Sequence, residues 1–353
     1  MSLIIVSTTG ACNLRCLYCG GSFPPKYVPW ELRYDIDYLI KFLRETGSDV
    51  AFYGGEPLLN PQVIVKVMDE LDDGRRFIIQ TNGTLPESLP PEYWLRFDAV
   101  LLSIDGRREV NDYYRGQGNY ERVLKTAYML RDIGYSGDLI ARMTLWDKSD
   151  VYEDVTHLLN LKVFDHVHWQ LNVIWTEPWD FSAWANTSYI PGLRRLADMW
   201  VSNMSSGEVL GIVPFLGVMK VALFGEWRSP PCGSGTETFT VLPDGRIVAC
   251  PIAVENEWAV VGHITRGSIR RVEIGKPCTS CPYFKYCGGR CLYAYKERLW
   301  GEKGFLEVCR VTKEMIDILL SKISHIKRLI REGVISASDF YYPPFDNTTE
   351  IIP

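Results

Sequence analysis

The sequence predicts an α/β fold, in which an open, partial (β/α)6 barrel is followed by a smaller cysteine-rich region. Short β-branched runs alternate with amphipathic stretches from Leu3 to about Ile174, and seven of the ten cysteines fall after residue 230. Such alternation is typical of a parallel sheet with right-handed crossovers. Six βα units are too few for a closed eight-stranded barrel. We therefore expect ligands at the carboxyl ends of the strands of an open one.

The predicted strands are short runs bounded by turn residues: Leu3–Ser7, Val50–Tyr53, Arg76–Gln80, Ala99–Ile104, Leu139–Thr144 and Val167–Val173. Between them lie helical patterns, several of which open with Asp, Asn or Pro and close with Gly. These cover Asp35–Glu45, Pro61–Leu71, Pro91–Phe97, Tyr120–Ile133 and Val151–Leu159. An apolar helix, Val213–Phe224, should lead out of the barrel.

The chain is expected to have four parts: the barrel over residues 1–205, a linker helix over 206–229, a cysteine-rich domain over 230–311, and a terminal helix with a tail over 312–353. Thr238–Leu242 and Arg246–Ala249 alternate around Pro243-Asp244-Gly245, which predicts a hairpin. Apolar positions from Thr312 to Gly333 follow a helical period and should dock on the barrel or on a partner. The tail Ser336–Pro353 is expected to be extended.

Composition and charge indicate a globular, soluble cytoplasmic protein. Its 353 residues are 46% hydrophobic, which is enough for a sizeable core. No run approaches about eighteen consecutive apolar residues and no export signal is recognisable, so we expect no membrane partner. The formal net charge of -5, without a long basic run, argues against nucleic acid. The sequence opens on the first strand, and no leader-binding domain is expected before it.

Three cysteines, Cys12, Cys16 and Cys19, follow the first strand in a CxxxCxxC spacing. Three thiolates are one short of a closed zinc site, but they suit an iron–sulfur cluster that keeps one iron free for a ligand. The alternative is a structural zinc knuckle or three unrelated thiols. The spacing resembles the signature of the radical S-adenosylmethionine (radical SAM) family. The resemblance implies a [4Fe-4S] cluster that chelates SAM and splits it into methionine and a 5′-deoxyadenosyl radical.

Polar segments at the ends of later strands resemble further motifs of this family. Gly54-Gly55-Glu56-Pro57 resembles its GGEP loop, which holds the amino group of SAM. Gln80-Thr81-Asn82-Gly83 and Ser103-Ile104-Asp105-Gly106, with Arg115 beyond, resemble segments that contact the ribose and pair with the SAM carboxylate. Each residue can equally be a turn or capping residue. The cofactor-binding residues that the resemblance implies are Tyr18 (along the adenine), Gly54, Gly55, Glu56, Asn82, Ser103, Asp105 and Arg115, with Arg142 a weaker candidate.

The other seven cysteines are Cys232, Cys250, Cys278, Cys281, Cys287, Cys291 and Cys309. Their spacing resembles the SPASM extension of radical SAM enzymes that act on peptides. The resemblance implies two auxiliary [4Fe-4S] clusters. Cys278, Cys281, Cys287 and Cys309 would hold the distal one, and Cys232, Cys250 and Cys291 the proximal one. An iron without a cysteine would then bind either a substrate thiolate or a protein side chain; a pair of zinc sites is the alternative.

This scheme leaves no free thiol to return a hydrogen atom, which favours net oxidation of the substrate over epimerisation. Where the sulfatase-maturing branch has an acidic base, directly after the cysteine equivalent to Cys250, this chain has Pro251. The base is therefore unassigned, and the candidates are Tyr53, His168, Glu177 and Asp180. Five tryptophans either line a substrate cleft or pack in the core: Trp169, Trp175, Trp179, Trp184 and Trp200.

The sequence predicts an oxidoreductase that modifies a peptide or protein by dehydrogenation or crosslink formation. Its electron donor would be a low-potential carrier such as ferredoxin or flavodoxin. Two alternatives stay open, namely maturation of a tetrapyrrole or other small molecule, and a non-catalytic iron–sulfur carrier or scaffold. The presence of Glu56, Asp105 and Arg115 disfavours the carrier, because a carrier needs no site for an amino acid and a ribose.

Overall fold

The computed structural model describes residues 2–341, and at its centre lies a nine-stranded sheet formed within that range. The strands are β1 (Leu3–Thr9), β2 (Asp49–Gly54), β3 (Phe77–Thr81), β4 (Ala99–Ser103), β5 (Asp138–Leu145), β6 (His166–Leu171), β7 (Thr238–Val241), β8 (Arg246–Val248) and β9 (Val260–His263). Their order is β6-β5-β4-β3-β2-β1-β7-β8-β9. Neighbours from β6 to β7 are parallel, whereas β8 is antiparallel to β7 and β9. The six predicted barrel strands are confirmed.

The α-helices of residues 2–341 alternate with these strands and continue after the last of them. They are α1 (Ile36–Thr46), α2 (Pro61–Glu70), α3 (Pro91–Trp94), α4 (Arg108–Arg115), α5 (Asn119–Asp132), α6 (Val151–Asn160), α7 (Phe181–Trp184), α8 (Ile190–Ser205), α9 (Val213–Phe224), α10 (Phe284–Cys287), α11 (Leu292–Glu297), α12 (Gly301–Leu320) and α13 (Ile323–Arg331). The five predicted barrel helices and the helix Val213–Phe224 are confirmed. Sequence analysis missed α4, α7, α8, α10 and α11.

Local chemistry explains where these elements begin and end. All seven residues of β1 are buried, and a strand covered on both faces reads as a continuous apolar run. Helix α1 begins after Asp35, whose carboxylate accepts a hydrogen bond from the Asp37 amide, and it ends at Gly47 in the left-handed conformation. Asp150 begins α6 in the same way. The Asp and Gly signals in the sequence therefore mark real helix ends.

The hairpin formed by β7 and β8 extends the barrel sheet. Strand β7 lies parallel to β1, with Leu3 opposite Thr238 and Val6 opposite Val241. Cys232 precedes β7 and Cys250 follows β8, so the hairpin lies between these two cysteines. Sequence analysis predicted the hairpin but not its attachment to the barrel. The four-part domain division stays a prediction.

Two predictions at the carboxyl end are wrong. The single helix expected over 312–333 is two helices, because α12 ends at Leu320 and α13 begins at Ile323. Helix α12 packs against α8 and α9 and carries Cys309. The tail was expected to be extended, but Ala337–Phe340 forms a 3-10 turn capped by Ser336. Phe340 is buried against Trp200, with ring centroids 5.9 Å apart. The rest of the tail, 342–353, lies outside the described residues.

Among residues 2–341, no helix has both the length and the apolar character needed to cross a membrane.

Candidate functional site

The carboxyl ends of the barrel strands and the cysteine-rich region share a cavity of about 210 Å³. Six predicted cluster cysteines lie on its wall: Cys12, Cys16, Cys19, Cys232, Cys250 and Cys291. Seven of the predicted SAM contacts lie there too: Tyr18, Gly54, Gly55, Glu56, Asn82, Ser103 and Arg115. The wall therefore combines thiol donors with the polar groups expected to bind SAM. Asp105 is not among the lining residues.

The segment 9–23, which carries Cys12, Cys16 and Cys19, is called the cysteine loop here. Close backbone contacts hold this loop against the end of β2. The Gly55 amide donates to the Thr9 carbonyl oxygen at 2.9 Å, and the Glu56 amide donates to that of Ala11 at 2.7 Å. A Cβ atom at Gly54 would lie 2.2 Å from the Thr9 oxygen, and one at Gly55 would lie 2.1 Å from the Ala11 oxygen. Glycine has no Cβ atom and therefore permits this close approach of two backbone segments. In the structure their close neighbour is the cysteine loop itself.

Asn82 fastens the cysteine loop from the end of β3. Its Nδ2 donates to Oδ1 of Asn13 at 2.8 Å and lies 3.9 Å from Sγ of Cys12. Its Oδ1 accepts from the Thr84 amide at 3.0 Å, which stabilises the turn after the strand. Asn82 is thus both a turn residue and a wall residue, so the two alternatives for it are compatible.

The three thiols of the cysteine loop differ in acidity. Burial is the main cause that raises the pKa of Cys12. Cys16 donates a hydrogen bond to Cys19; this bond and burial raise the pKa of Cys16, whereas the same bond lowers that of Cys19 to about 6. Because iron–sulfur clusters bind thiolates, Cys19 is the thiol best prepared to ligate.

The donor set fits an iron–sulfur cluster. Within residues 2–341, no three His, Cys, Asp or Glu side chains are grouped so that they could hold a metal ion. The thiols of Cys12, Cys16 and Cys19 instead line one cavity together with those of Cys232, Cys250 and Cys291. Thiolates around a shared space suit a multi-iron cluster, which Cys12, Cys16 and Cys19 would hold.

Glu56 is fully buried and accepts three hydrogen bonds. These come from Oγ1 of Thr81 at 2.6 Å, the Asn82 amide at 2.7 Å and the Leu58 amide at 3.1 Å. Burial raises the pKa of Glu56 to about 7, although the three bonds oppose that shift. A carboxylate has about four acceptor sites. One site is therefore left for a further donor, such as the ammonium group of an amino acid.

We expect the protein to become less stable relative to Glu56→Gln as pH rises from 5 to 8. The ordinary pKa of 4.5 rises to about 7 on folding, so the folded state binds more protons between these values. The stability that this group contributes is complete below pH 4.5 and is lost as pH rises through 7, by about 3 kcal/mol in total. Urea unfolding of both proteins at pH 5, 6, 7 and 8 measures the difference. A difference that does not change with pH would contradict the assignment.

Asp105 forms a buried ion pair with Arg115. Its carboxylate accepts from Nε and Nη2 of Arg115, both at 2.8 Å, from the Tyr18 hydroxyl at 2.8 Å and from the Thr144 amide at 2.8 Å. Four donors fill the acceptor sites of the carboxylate. The expectation that Asp105 binds ribose hydroxyls therefore has no support in this geometry. Asp105 instead orients Tyr18 and Arg115, which do reach the cavity.

The wall formed by β5 and β6 is polar. Arg142 donates to Nδ1 of His168 at 2.6 Å and to Oε1 of Gln170 at 2.5 Å. Arg142, Gln170 and Asn172 line the cavity, whereas His168 is buried behind Arg142 and is not among the lining residues. Barrel interiors are usually filled by apolar side chains, so polar ones here indicate a binding surface.

Of the four base candidates, Tyr53 alone lines the cavity. Burial raises the pKa of Tyr53 to about 12, so its hydroxyl keeps its proton and acts as a hydrogen-bond donor. Asp180 caps α7 by accepting from the Ala183 amide at 3.2 Å. His168 and Glu177 are not on the cavity wall, so the base stays unassigned.

Sequence reasoning missed Asn172 and left Trp175 undecided. Asn172 is 3% exposed, and its Nδ2 has no hydrogen-bond partner within the described part of the chain. Trp175 is 44% exposed, has a φ of 60° and packs edge-on against Phe23 of the cysteine loop. Trp169 and Trp200 pack in the core and do not line a substrate cleft. No motif marks Asn172; its place just after β6 is the one available signal.

The four remaining cysteines form a second group, away from the cavity. Cys278 begins a 3-10 turn, Cys287 ends α10 and Cys309 lies in α12. Burial raises the pKa of Cys278 to about 11, and the nearby thiols of Cys309, Cys287 and Cys281 raise it further. These four cysteines are free thiols. The thiols of these four cysteines are thus near one another, and their role as one ligand set stays a prediction.

Residues 6–160 match a family model described as the Radical SAM superfamily. The cysteine-type anaerobic sulfatase-maturating enzyme of Clostridium perfringens is 23% identical over 94% of this chain and 99% of its own length. Two solved structures are similar in fold. Native anSMEcpe with bound AdoMet and Cp18Cys peptide superimposes with a TM-score of 0.72, at 21% identity over 93% of this chain and 99% of that one. Streptococcus suis SuiB bound to precursor peptide SuiA gives 0.56, at 16% identity over 84% and 73%.

Three independent findings agree. The matched segment carries the cysteine loop, the GGEP loop and Arg115. The structure gathers these elements around one cavity, and the fold resembles that of a sulfatase-maturating enzyme over almost the whole chain. Residues 6–160 therefore carry a radical SAM segment, and the chain is similar to a sulfatase-maturating enzyme along almost its whole length.

Proposed function

We propose that this enzyme oxidatively modifies a peptide or protein substrate, by dehydrogenation or by forming a crosslink. The observation that carries the proposal is the shared cavity, where Cys232, Cys250 and Cys291 face the same space as the SAM-binding residues. When bound, the first cluster and SAM supply a 5′-deoxyadenosyl radical that takes a hydrogen atom from the substrate. The thiols of Cys232, Cys250 and Cys291 line the same cavity, so a group that they hold could accept the electron that the substrate then loses.

The electron count requires both cysteine regions. One electron enters and cleaves SAM, and the hydrogen atom taken from the substrate ends in 5′-deoxyadenosine. The substrate then loses one electron and one proton. The electron would leave through groups held by the seven later cysteines and pass to a carrier such as ferredoxin or flavodoxin. A scheme that uses ten cysteine thiolates suits the reducing cytoplasm.

The polar wall supports a peptide as the substrate. Nδ2 of Asn172 is a buried donor without a protein partner in residues 2–341, and a peptide carbonyl oxygen is an acceptor of suitable chemistry. Arg142 and Gln170 add a cation and an amide on the same wall. The structural relatives named above were solved with bound peptides. Trp175 and Ile174 supply the apolar part of this wall.

The decisive experiment incubates the anaerobic, iron-loaded enzyme with SAM, dithionite and candidate peptides encoded beside its gene. Mass spectrometry should show a loss of about two hydrogen masses from one peptide and an equivalent amount of 5′-deoxyadenosine. Formation of 5′-deoxyadenosine with every peptide unchanged, and with a small molecule modified instead, would overturn the proposal.

We expect about twelve irons per chain after anaerobic reconstitution, because ten cysteines fit three four-iron clusters. Iron, sulfide and zinc analysis of the purified protein measures this. About four irons per chain together with bound zinc would show that the later cysteines form zinc sites. The substrate's electron could then not leave through auxiliary clusters.

We expect Asn172→Leu to raise the KM for the identified peptide about tenfold or more. The change removes a buried donor and leaves a substrate oxygen unpaired, which costs about 1–3 kcal/mol. Formation of 5′-deoxyadenosine without peptide should not change. Asn160→Leu, at the exposed end of α6, is the matched control. If both variants had the wild-type KM, Asn172 would have no role in substrate binding.

A further inference from the structure

Two arginines in the cysteine-rich region share an unusual combination of features. Arg290 and Arg298 both have a left-handed backbone, with φ of 61° and 49°. Each has a buried Nη1 atom that finds no hydrogen-bond partner among residues 2–341. An unsatisfied buried donor costs about 1–3 kcal/mol, and strained residues of this kind concentrate at ligand sites. Both features therefore point to an acceptor that the polypeptide does not supply.

Contacts place both arginines beside the distal cysteines. The Arg290 amide donates to the Cys287 carbonyl oxygen at 2.6 Å. Arg298 lies over the ring of Phe305, which is about one helical turn before Cys309 in α12. Arg290 is 6% exposed, so its charge is poorly screened by water. Lys313 adds a further positive charge near Cys309.

The backbone holds Arg290 in place. Gly288 and Gly289 before it also have positive φ, 56° and 80°, so three left-handed residues in a row join Cys287 to Cys291. A Cβ at Gly288 would lie 2.1 Å from the carbonyl oxygen of Arg228, so the segment is packed tightly against its neighbour. The strained backbone conformation is therefore fixed by its surroundings.

Arg298 is held differently. Its guanidinium lies over the ring of Phe305, 4.1 Å from the centroid, and over that of Tyr295 at 5.0 Å. Its Nε lies 3.7 Å from the carboxylate of Glu302. These contacts occupy the faces and one edge of the planar group. The remaining edge, which carries Nη1, is buried and unpaired within the described residues.

We propose that Arg290 and Arg298 donate hydrogen bonds to an anionic iron–sulfur cluster held by Cys278, Cys281, Cys287 and Cys309, and that they raise its reduction potential. The inference rests on the proposed function, because that function requires the distal cluster. Four thiolates give such a cluster a net negative charge. Nearby cations and hydrogen-bond donors stabilise the more negative, reduced state. The distal cluster thereby becomes the favoured acceptor of the electron that leaves the substrate.

The test is a redox titration, followed by electron paramagnetic resonance, of the reconstituted full-length enzyme and its Arg290→Gln, Arg298→Gln and double variants. Each Gln variant should lower the midpoint reduction potential of one cluster by at least 59 mV. For one electron, this shift equals a tenfold change in the equilibrium constant. The double variant should lower it further. Arg290→Lys should recover part of the shift. Arg266→Gln, at an exposed position, is the control and should change nothing.

The outcomes separate the inference from the function on which it rests. Wild-type protein with fewer than about twelve irons would overturn both, because no distal cluster would then exist. Full iron content with unchanged midpoints in every Gln variant would overturn the inference alone. Loss of about four irons from a variant with an unchanged circular dichroism spectrum would support it, because the arginines would then be needed to hold the cluster.

Discussion

Replacing Cys16 with Ala should reduce the formation of 5′-deoxyadenosine to that of a blank without protein, even with excess dithionite. Cys16 is 6% exposed, lies on the cavity wall and donates a hydrogen bond to Cys19. Without its thiolate, the first cluster keeps two cysteine ligands, which are too few to hold the [4Fe-4S] cluster that would bind SAM. Chromatography of the anaerobic reaction mixture measures the product directly.

Cys309→Ala is the matched control for this experiment. Cys309 lies in α12, belongs to the distal group and does not line the cavity. This variant should still cleave SAM, although it should no longer complete substrate oxidation. Wild-type product formation by Cys16→Ala would show that the cysteine loop does not hold the SAM-binding cluster.

Replacing Arg115 with Ala should lower the free energy of unfolding by about 3–5 kcal/mol and also weaken SAM binding. The stability loss is expected because Asp105, which is fully buried, would keep a charge without a partner. The binding loss is expected because the guanidinium of Arg115 lines the cavity, where it can pair with the SAM carboxylate. Urea unfolding and equilibrium dialysis with labelled SAM measure the two effects.

A double variant separates these effects. Asp105→Asn combined with Arg115→Ala removes both charges, so stability should largely return while SAM binding stays weak. Arg108→Ala is the surface control, because its ion pair with Glu121 is more than half exposed and should contribute less than about 1 kcal/mol. Full recovery of SAM affinity in the double variant would exclude Arg115 from the SAM site.

Sequence reasoning was most successful where the determinant is local. The six barrel strands follow from continuous apolar runs, and α1 and α6 begin at Asp residues that cap them. The cysteine loop and the GGEP loop follow from short motifs, and the structure brings both to one cavity. In each case residues close in sequence decide the conformation, so the pattern can be read without knowing the fold.

Asp105 shows what a short sequence motif does not reveal. Its place in a Ser-Ile-Asp-Gly segment resembled a ribose contact, yet its acceptor sites are filled by Arg115, Tyr18 and Thr144. These partners are 10, 87 and 39 residues away in sequence. A motif can assign a residue to a site, but it cannot show how many of its hydrogen bonds the protein already uses.

The sequence by itself indicated the radical SAM family and the barrel strands, because motif spacing and hydrophobic period are local properties. The tertiary structure alone decided that β7 lies beside β1 and that Cys232 and Cys250 line a cavity shared with Cys12. It also decided that Asn172 keeps an unpaired donor there, and that Arg290 and Arg298 each bury an unpaired Nη1 atom within the described residues. These arrangements join residues more than two hundred positions apart or depend on which hydrogen bonds are already satisfied. Strand pairing and packing set both, and neither leaves a periodic trace in the sequence.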